Sequence, residues 1–65
     1  MGTVDITYFH LDADGESGAT VSEVEAVLLD TKHRTLSVLA EGKEYYFDMN
    51  NVQSIKAKGV EITYA

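Results

Sequence analysis

Apolar and polar residues alternate along most of this chain, in short stretches that polar turns separate. Successive side chains of a β-strand point to opposite faces, so this alternation predicts strands, whereas a helix needs a repeat of about 3.6 residues. The alternating stretches are residues 3–11, 35–42, 44–49, 52–57 and 60–64. A chain dominated by such stretches is expected to fold as an all-β domain.

The turns between these stretches are short. Residues 30–34, 41–43, 50–51 and 58–59 carry polar side chains, Asn or Gly, and Asn and Gly tolerate the left-handed backbone of tight turns. We therefore predict five or six short antiparallel strands in a small barrel. The strand lengths and the short turn before the final strands resemble the layout of SH3-like or Sm-like barrels. This resemblance of layout implies nothing about function.

Residues 21–30, VSEVEAVLLD, fit two structures. On a helix, Val21, Val24 and Leu28 share a face, and Thr20 with Glu23 would form a capping box. On a strand, Val24, Ala26 and Leu28 face one side, while Val27 and Leu29 face the other. The polar turn and the alternating stretch that follow favour a strand hairpin. The alternative is an α+β domain with a helix at 21–30.

The chain length limits the size of the core. Its 65 residues form a single domain, 1–65, and a domain of this size buries only about 60% of its unfolded surface. Small domains often gain stability from disulfides, a metal or a partner subunit. The chain contains no cysteine, which excludes disulfides and thiolate metal sites and leaves a compact barrel, a bound ion or a homo-oligomer.

The net charge of −6 is unevenly distributed. Residues 1–31 hold seven acidic residues and no Lys or Arg, whereas residues 32–65 hold four acidic and all five basic residues. Nucleic-acid affinity comes largely from basic side chains, so nucleic acid is an unfavourable partner. A protein partner with a basic surface fits the acidic half better, because complementary charge accelerates encounter.

The sequence also bears on cellular location. No stretch approaches the roughly 18 apolar residues of a membrane helix, and the start, MGTVDITYFHL, lacks the basic region of a secretion signal. The lack of cysteine fits a reducing compartment. We therefore expect no membrane association and a cytoplasmic location.

The stretch DADGESGATVSE, residues 12–23, is similar to a calcium-binding loop in its ligand spacing. Such a loop places oxygen ligands at alternate positions, a glycine at its sixth position and a glutamate at its twelfth. Asp12, Asp14, Glu16 and Glu23 match the ligand positions, but Ser17 occupies the sixth. These four residues are weak candidates for a divalent-ion or small-ligand site. The preferred interpretation is a solvated hairpin loop with no metal.

The residues that commonly carry catalysis form no recognisable arrangement. His10 and His33 are the only groups expected to titrate near neutral pH, and no serine lies in a nucleophile-elbow pattern. A domain of this size has little room for a pocket of about 300 Å³ or more. We therefore expect no enzymatic activity and no cofactor.

Three consecutive aromatic residues, Tyr45, Tyr46 and Phe47, lie in one predicted strand. Because strand side chains alternate, Tyr45 and Phe47 are expected in the core and Tyr46 on the surface. If the terminal strands pair, Tyr8 and Tyr64 would flank Tyr46. An exposed tyrosine is a common anchor of protein interfaces.

Together, these observations predict a non-enzymatic protein-binding or regulatory module with an acidic N-terminal half. Small acidic proteins of this kind include phage or mobile-element inhibitors that mimic the charge of nucleic acid. The alternatives are ion or small-ligand binding at the loop, and a structural homo-oligomer formed through unprotected strand edges. The candidate partner-binding residues are Asp12, Asp14, Glu16, Glu23, Glu25 and Tyr46.

Overall fold

The computed structural model describes all 65 residues and contains six strands and one 3₁₀ turn. The strands are β1 (Gly2–Tyr8), β2 (Gly18–Asp30), β3 (Thr35–Ala40), β4 (Lys43–Asp48), β5 (Val52–Lys58) and β6 (Ile62–Tyr64), and the 3₁₀ turn is Met49–Asn51. The all-β prediction is confirmed. The alternative helix at 21–30 is wrong, because these residues belong to β2.

The strands form one sheet in the order β4-β3-β2-β1-β5, with antiparallel neighbours throughout. The final strand, β6, pairs with β2 in a parallel direction, so it does not continue the antiparallel meander. Strands β4 and β5 lie at the two ends of the order and do not pair with each other. The sheet has the strand number expected of the predicted barrel, but hydrogen bonds do not close it.

Strand β2 is 13 residues long and bends in its middle. Its pairing with β1 shifts register between Val21 and Val24, which lie opposite Val4 and Gly2. Its pairing with β3 shifts register between Val24 and Ala26. Glu23 lies within the first of these shifts and has a φ of +56°. These bulges divide the sheet into two layers: a first layer of β5, β1 and the start of β2, and a second layer of the end of β2 with β3, β4 and β6.

The bulges also change which side chains of β2 reach the core. Uniform alternation predicts that Val24, Ala26 and Leu28 share a face, but Val24 and Val27 are buried while Ala26 and Leu28 are exposed. A bulge adds a residue to one strand, and a shift of one residue moves the following side chains to the opposite face. The grouping of Val24 with Ala26 and Leu28 was therefore wrong, whereas Val27 and Leu29 lie on the side opposite Ala26 and Leu28, as predicted.

The core lies between the two layers and is entirely apolar. Its eight buried side chains come from β1, β2, β3 and β5. They are Val4, Ile6, Val24, Val27, Leu36, Val38, Ala40 and Val52. The structure thus agrees with the thin core expected from the chain length.

The 3₁₀ turn holds neighbouring loops together. The Asn51 side chain accepts a hydrogen bond from the His10 backbone N–H (2.9 Å) and donates one to the His10 carbonyl oxygen (3.0 Å). Arg34 Nε donates to Asn50 Oδ1, and the Met49 N–H donates to the Arg34 carbonyl oxygen (2.9 Å). This turn fixes the β1–β2 loop and the β2–β3 turn at one end of the molecule.

Two matched substitutions test the facing of β2. We expect Val27→Ala to lower the free energy of unfolding by on the order of 2 kcal/mol, because it leaves a cavity in the core. Leu28→Ala, on the exposed side, should change it by less than about 0.5 kcal/mol. Urea denaturation followed by circular dichroism measures both, and equal losses would contradict the observed facing.

Candidate partner-binding face

The second layer carries apolar side chains on its outer side as well as in the core. Across its strands, Ala26 lies opposite Leu39, and Leu28 lies opposite Ser37, which in turn lies opposite Tyr46. These positions form two adjacent rows on the same outward side of the sheet. We call the four residues Ala26, Leu28, Leu39 and Tyr46 the outer apolar face.

The side chains of the outer apolar face are accessible to solvent. Tyr46 is 65% exposed and Leu28 is 40% exposed, Ala26 is exposed, and Leu39 is half-buried. Contiguous exposed apolar side chains are uncommon on a surface that only water contacts, and they often mark a binding site. The face therefore requires an explanation beyond folding.

The outer side of the first layer, by contrast, carries polar side chains. There, Asp5 of β1 lies opposite Thr20 of β2 and Lys56 of β5, and all three are exposed. Thr20 Oγ1 donates a 2.7 Å hydrogen bond to Asp5 Oδ1. Antiparallel sheets commonly present such a polar face to water, and the contrast makes the second layer the stronger candidate for binding.

Carboxylates border the outer apolar face. Glu44 lies opposite Leu39, and the next row along the sheet places Thr35 between Asp30 and Asp48. A side-chain hydrogen bond with Glu44 and the negative charge of Glu44 raise the pKa of Tyr46. The face thus combines an apolar centre with an acidic border.

Asp30 also shapes the β2–β3 turn. Its Oδ1 accepts hydrogen bonds from the backbone N–H groups of Lys32 and His33 (3.0 Å each), and its Oδ2 lies 2.8 Å from His33 Nδ1. The hydrogen bond with the His33 side chain, followed by that with the His33 backbone, lowers the pKa of Asp30. Asp30 therefore has a structural role at the edge of the face.

The predicted partner-binding residues lie in three separate places. Tyr46 belongs to the outer apolar face. Glu23 and Glu25 lie at the bend of β2, where Glu25 Oε2 accepts a 3.4 Å hydrogen bond from the Gly42 N–H. The loop residues Asp12, Asp14 and Glu16 lie between β1 and β2. The structure does not gather the six residues into one surface.

Alternation along the strands did not identify Leu28 and Leu39. It placed Leu28 on the same side as Val24, which the register shift between Val24 and Ala26 contradicts, and it did not decide which side of β2 is buried. The signal was nevertheless present, since residues 26–29 and 38–40 are continuous apolar runs, which strands with one solvated face do not usually contain.

Two expectations for the aromatic residues also changed. Tyr45 was predicted in the core but is 41% exposed, because no strand pairs with the free edge of β4. Tyr8 and Tyr64 do not flank Tyr46, since β1 pairs with β2 and β5, and β6 pairs only with β2. Tyr46 is exposed, as predicted.

The acidic loop is a compact turn organised by Asp12. Asp12 Oδ1 accepts hydrogen bonds from the backbone N–H groups of Asp14 and Glu16 (2.9 Å each). Gly18 pairs with Thr7 and begins β2, so Glu23 lies five strand positions further on, about 17 Å away at the usual rise. The four candidate ligands do not converge, and no group of three or more metal-binding side chains occurs in the structure.

Comparisons with protein-family models, curated proteins and solved structures gave no match for this chain. The structure contains no helix with the length and apolar character needed to cross a membrane. The functional inference therefore rests on the residues of the chain itself.

Acid titration tests the role of Asp30. Because its pKa in the folded protein is lowered, the ionised carboxylate stabilises the fold above the unfolded pKa of about 3.9, and this contribution is lost as pH falls through the folded pKa. We expect Asp30→Asn to lower the Tm at pH 7 and to lower it progressively less at acidic pH. Thermal melts between neutral and acidic pH measure this, and a difference in Tm that does not depend on pH would contradict it.

Proposed function

We propose that this chain is a non-enzymatic protein-binding module that engages a basic protein partner through its outer apolar face. The observation that carries the proposal is the exposure of Leu28 and Tyr46, in the row next to half-buried Leu39, inside a border of carboxylates. Protein interfaces commonly combine an apolar centre with a polar rim, and tyrosine is enriched among the residues that contribute most binding energy.

The position of the face supports tight binding. Its side chains project from neighbouring strands of one sheet, so their relative positions are fixed before a partner arrives. Less conformational entropy is then lost on binding.

The charges indicate the kind of partner. Glu44 and Asp48 are exposed beside the apolar centre, and the net charge of the chain is −6. A basic surface that normally binds phosphate groups would meet carboxylates around this face. A regulator or inhibitor that mimics the charge of nucleic acid, as in phage or mobile-element proteins, fits this combination.

Affinity capture tests the face directly. The tagged chain is incubated at low salt with lysate from its own source, and bound proteins are identified by mass spectrometry. We expect the double variant Leu28→Ser with Tyr46→Ser to lose the partner, since truncation of one dominant interface residue costs about 2 kcal/mol or more. The matched control is Phe9→Ser with Leu11→Ser, which removes two exposed apolar side chains of the β1–β2 loop and should retain the partner. Equal capture by the two variants would contradict the proposal.

The acidic loop is expected to act at longer range. Asp14→Asn with Glu16→Gln removes two exposed charges and leaves Asp12 to hold the loop. We expect a slower association rate with the captured partner at low salt and an unchanged dissociation rate, because peripheral charges act mainly on encounter. Surface plasmon resonance at low and high salt separates the two rates, and a change confined to dissociation would place the loop in the interface itself.

A further inference from the structure

The open sheet leaves two strand edges without a partner. Strand β4 pairs only with β3, and β5 pairs only with β1. Unpaired edges expose backbone N–H and C=O groups and invite another strand to pair with them. Both edges belong to the same short chain, so each copy offers two places where a strand can be added.

The hairpin between β3 and β4 determines which backbone N–H and C=O groups of β4 point away from β3 and are free to bond another strand. Its two turn residues, Glu41 and Gly42, both have positive φ, as in the tight turns that close a hairpin with a hydrogen-bonded pair. That pair is Ala40 with Lys43. Because bonding alternates along an antiparallel pair, the backbone groups of Glu44, Tyr46 and Asp48 point away from β3.

The two edges carry opposite charge on their outer sides. The edge of β4 presents Glu44 and Asp48, while that of β5 presents Lys56 and Lys58, and all four are exposed. Strand β5 contains no acidic residue. Opposite charges across a strand pair are favourable and like charges are not, so a β4 edge fits a β5 edge better than β5 fits a second β5.

The core-facing side chains of the two edge strands are also complementary, because both sets are apolar. On β4, Tyr45 is 41% exposed and Phe47 is half-buried, and both face the interior without a strand beside them. On β5, Ile55 and Ala57 are half-buried in the same alternating positions. Joining the two edges would cover aromatic surface of one copy with aliphatic surface of the other.

We propose that β4 of one copy pairs with β5 of a second copy, so that the chain associates with itself head to tail. The pairing is parallel, because the Tyr8 N–H bonds to Ser17 on the β2 side of β1, so Lys56 and Lys58 use their backbone groups to bond β1 and leave those of Ile55 and Ala57 free. In this register, Tyr46 lies opposite Lys56, where the ammonium group also meets the aromatic ring, and Asp48 lies opposite Lys58. In the same register, Tyr45 lies opposite Ile55 and Phe47 opposite Ala57. Each added copy leaves one β4 edge and one β5 edge free, which is the property of a heterologous contact.

Tyr46, Glu44 and Asp48 belong both to this association and to the surface of the proposed function. The association uses the strand edges, whereas Leu28 and Leu39 lie on inner strands of the sheet and stay accessible. It is tested with the purified chain alone, so a failure here leaves the capture experiment unaffected, and a failure of capture leaves this proposal unaffected.

Sedimentation velocity of the untagged full chain, from micromolar to millimolar concentration, measures the association. We expect the average mass to rise above the monomer value of 7.1 kDa with concentration and to fall towards it as salt rises, because salt screens the paired charges. The variants Glu44→Lys with Asp48→Lys, and Lys56→Glu with Lys58→Glu, should each remain monomeric. An equimolar mixture of the two variants should associate again, since each acidic edge then meets a basic one.

A control separates edge pairing from the effect of net charge. Asp14→Lys with Glu16→Lys changes the net charge by the same amount as the β4 variant but leaves both edges intact, and it should associate like the wild type. Circular dichroism checks that each variant folds, and Glu44→Gln with Asp48→Asn provides a milder change that should weaken association if the lysine variant does not fold. A wild-type chain that stays monomeric throughout, or association that survives in every edge variant, would overturn the proposal.

Discussion

The bend of β2 is the constraint on which the rest of the structure depends. One continuous strand pairs with β1 along its first half and with β3 along its second half, and the two bulges between these halves turn the sheet back on itself. Without the bend, a chain of this size would present a flat sheet with nothing to cover its apolar side. The bend brings Val4 and Ile6 of one layer against Leu36 and Val38 of the other.

The same strand contributes to the surface that we interpret as functional. The two bulges bring Val21, Val24 and Val27, spaced three residues apart, to the core side of β2, and Leu28 lies on the outer side. The outward side of the second layer then carries Leu28 beside Leu39 and Tyr46, in a chain that has few apolar residues to spare for its core. In the proposed function, the acidic border favours partners of opposite charge.

Much of the fold follows from sequence patterns alone. The alternation in residues 3–8 places Val4, Ile6 and Tyr8 inward, as observed, and the turn at Glu41 and Gly42 follows from its residue types. The bend of β2 could not be predicted in the same way, because Glu23 adopts a positive φ that no local rule requires of a glutamate. The bend moves Val24 to the side opposite Ala26 and Leu28, where uniform alternation does not place it.

The candidate site was accessible from sequence only in part. Tyr46 is predicted on the surface because it stands between two inward-facing aromatic residues. Leu28 was missed because alternation alone does not show which side of β2 is buried, and Leu39 because the outward positions of β3 were not considered as a surface. The loop of Asp12 illustrates the opposite error, since a spacing that matches metal ligands is used instead to bind the backbone N–H groups of its own turn.

The most direct test of the account is photo-crosslinking from the outer apolar face in lysate of the protein's own source. A photoreactive amino acid replaces Leu28 in one variant and Thr7, on the polar outer side of the first layer, in another. The account predicts a crosslink from position 28 to a distinct basic protein and none to it from position 7. Crosslinking to that protein from position 7 but not from position 28 would contradict the central claim.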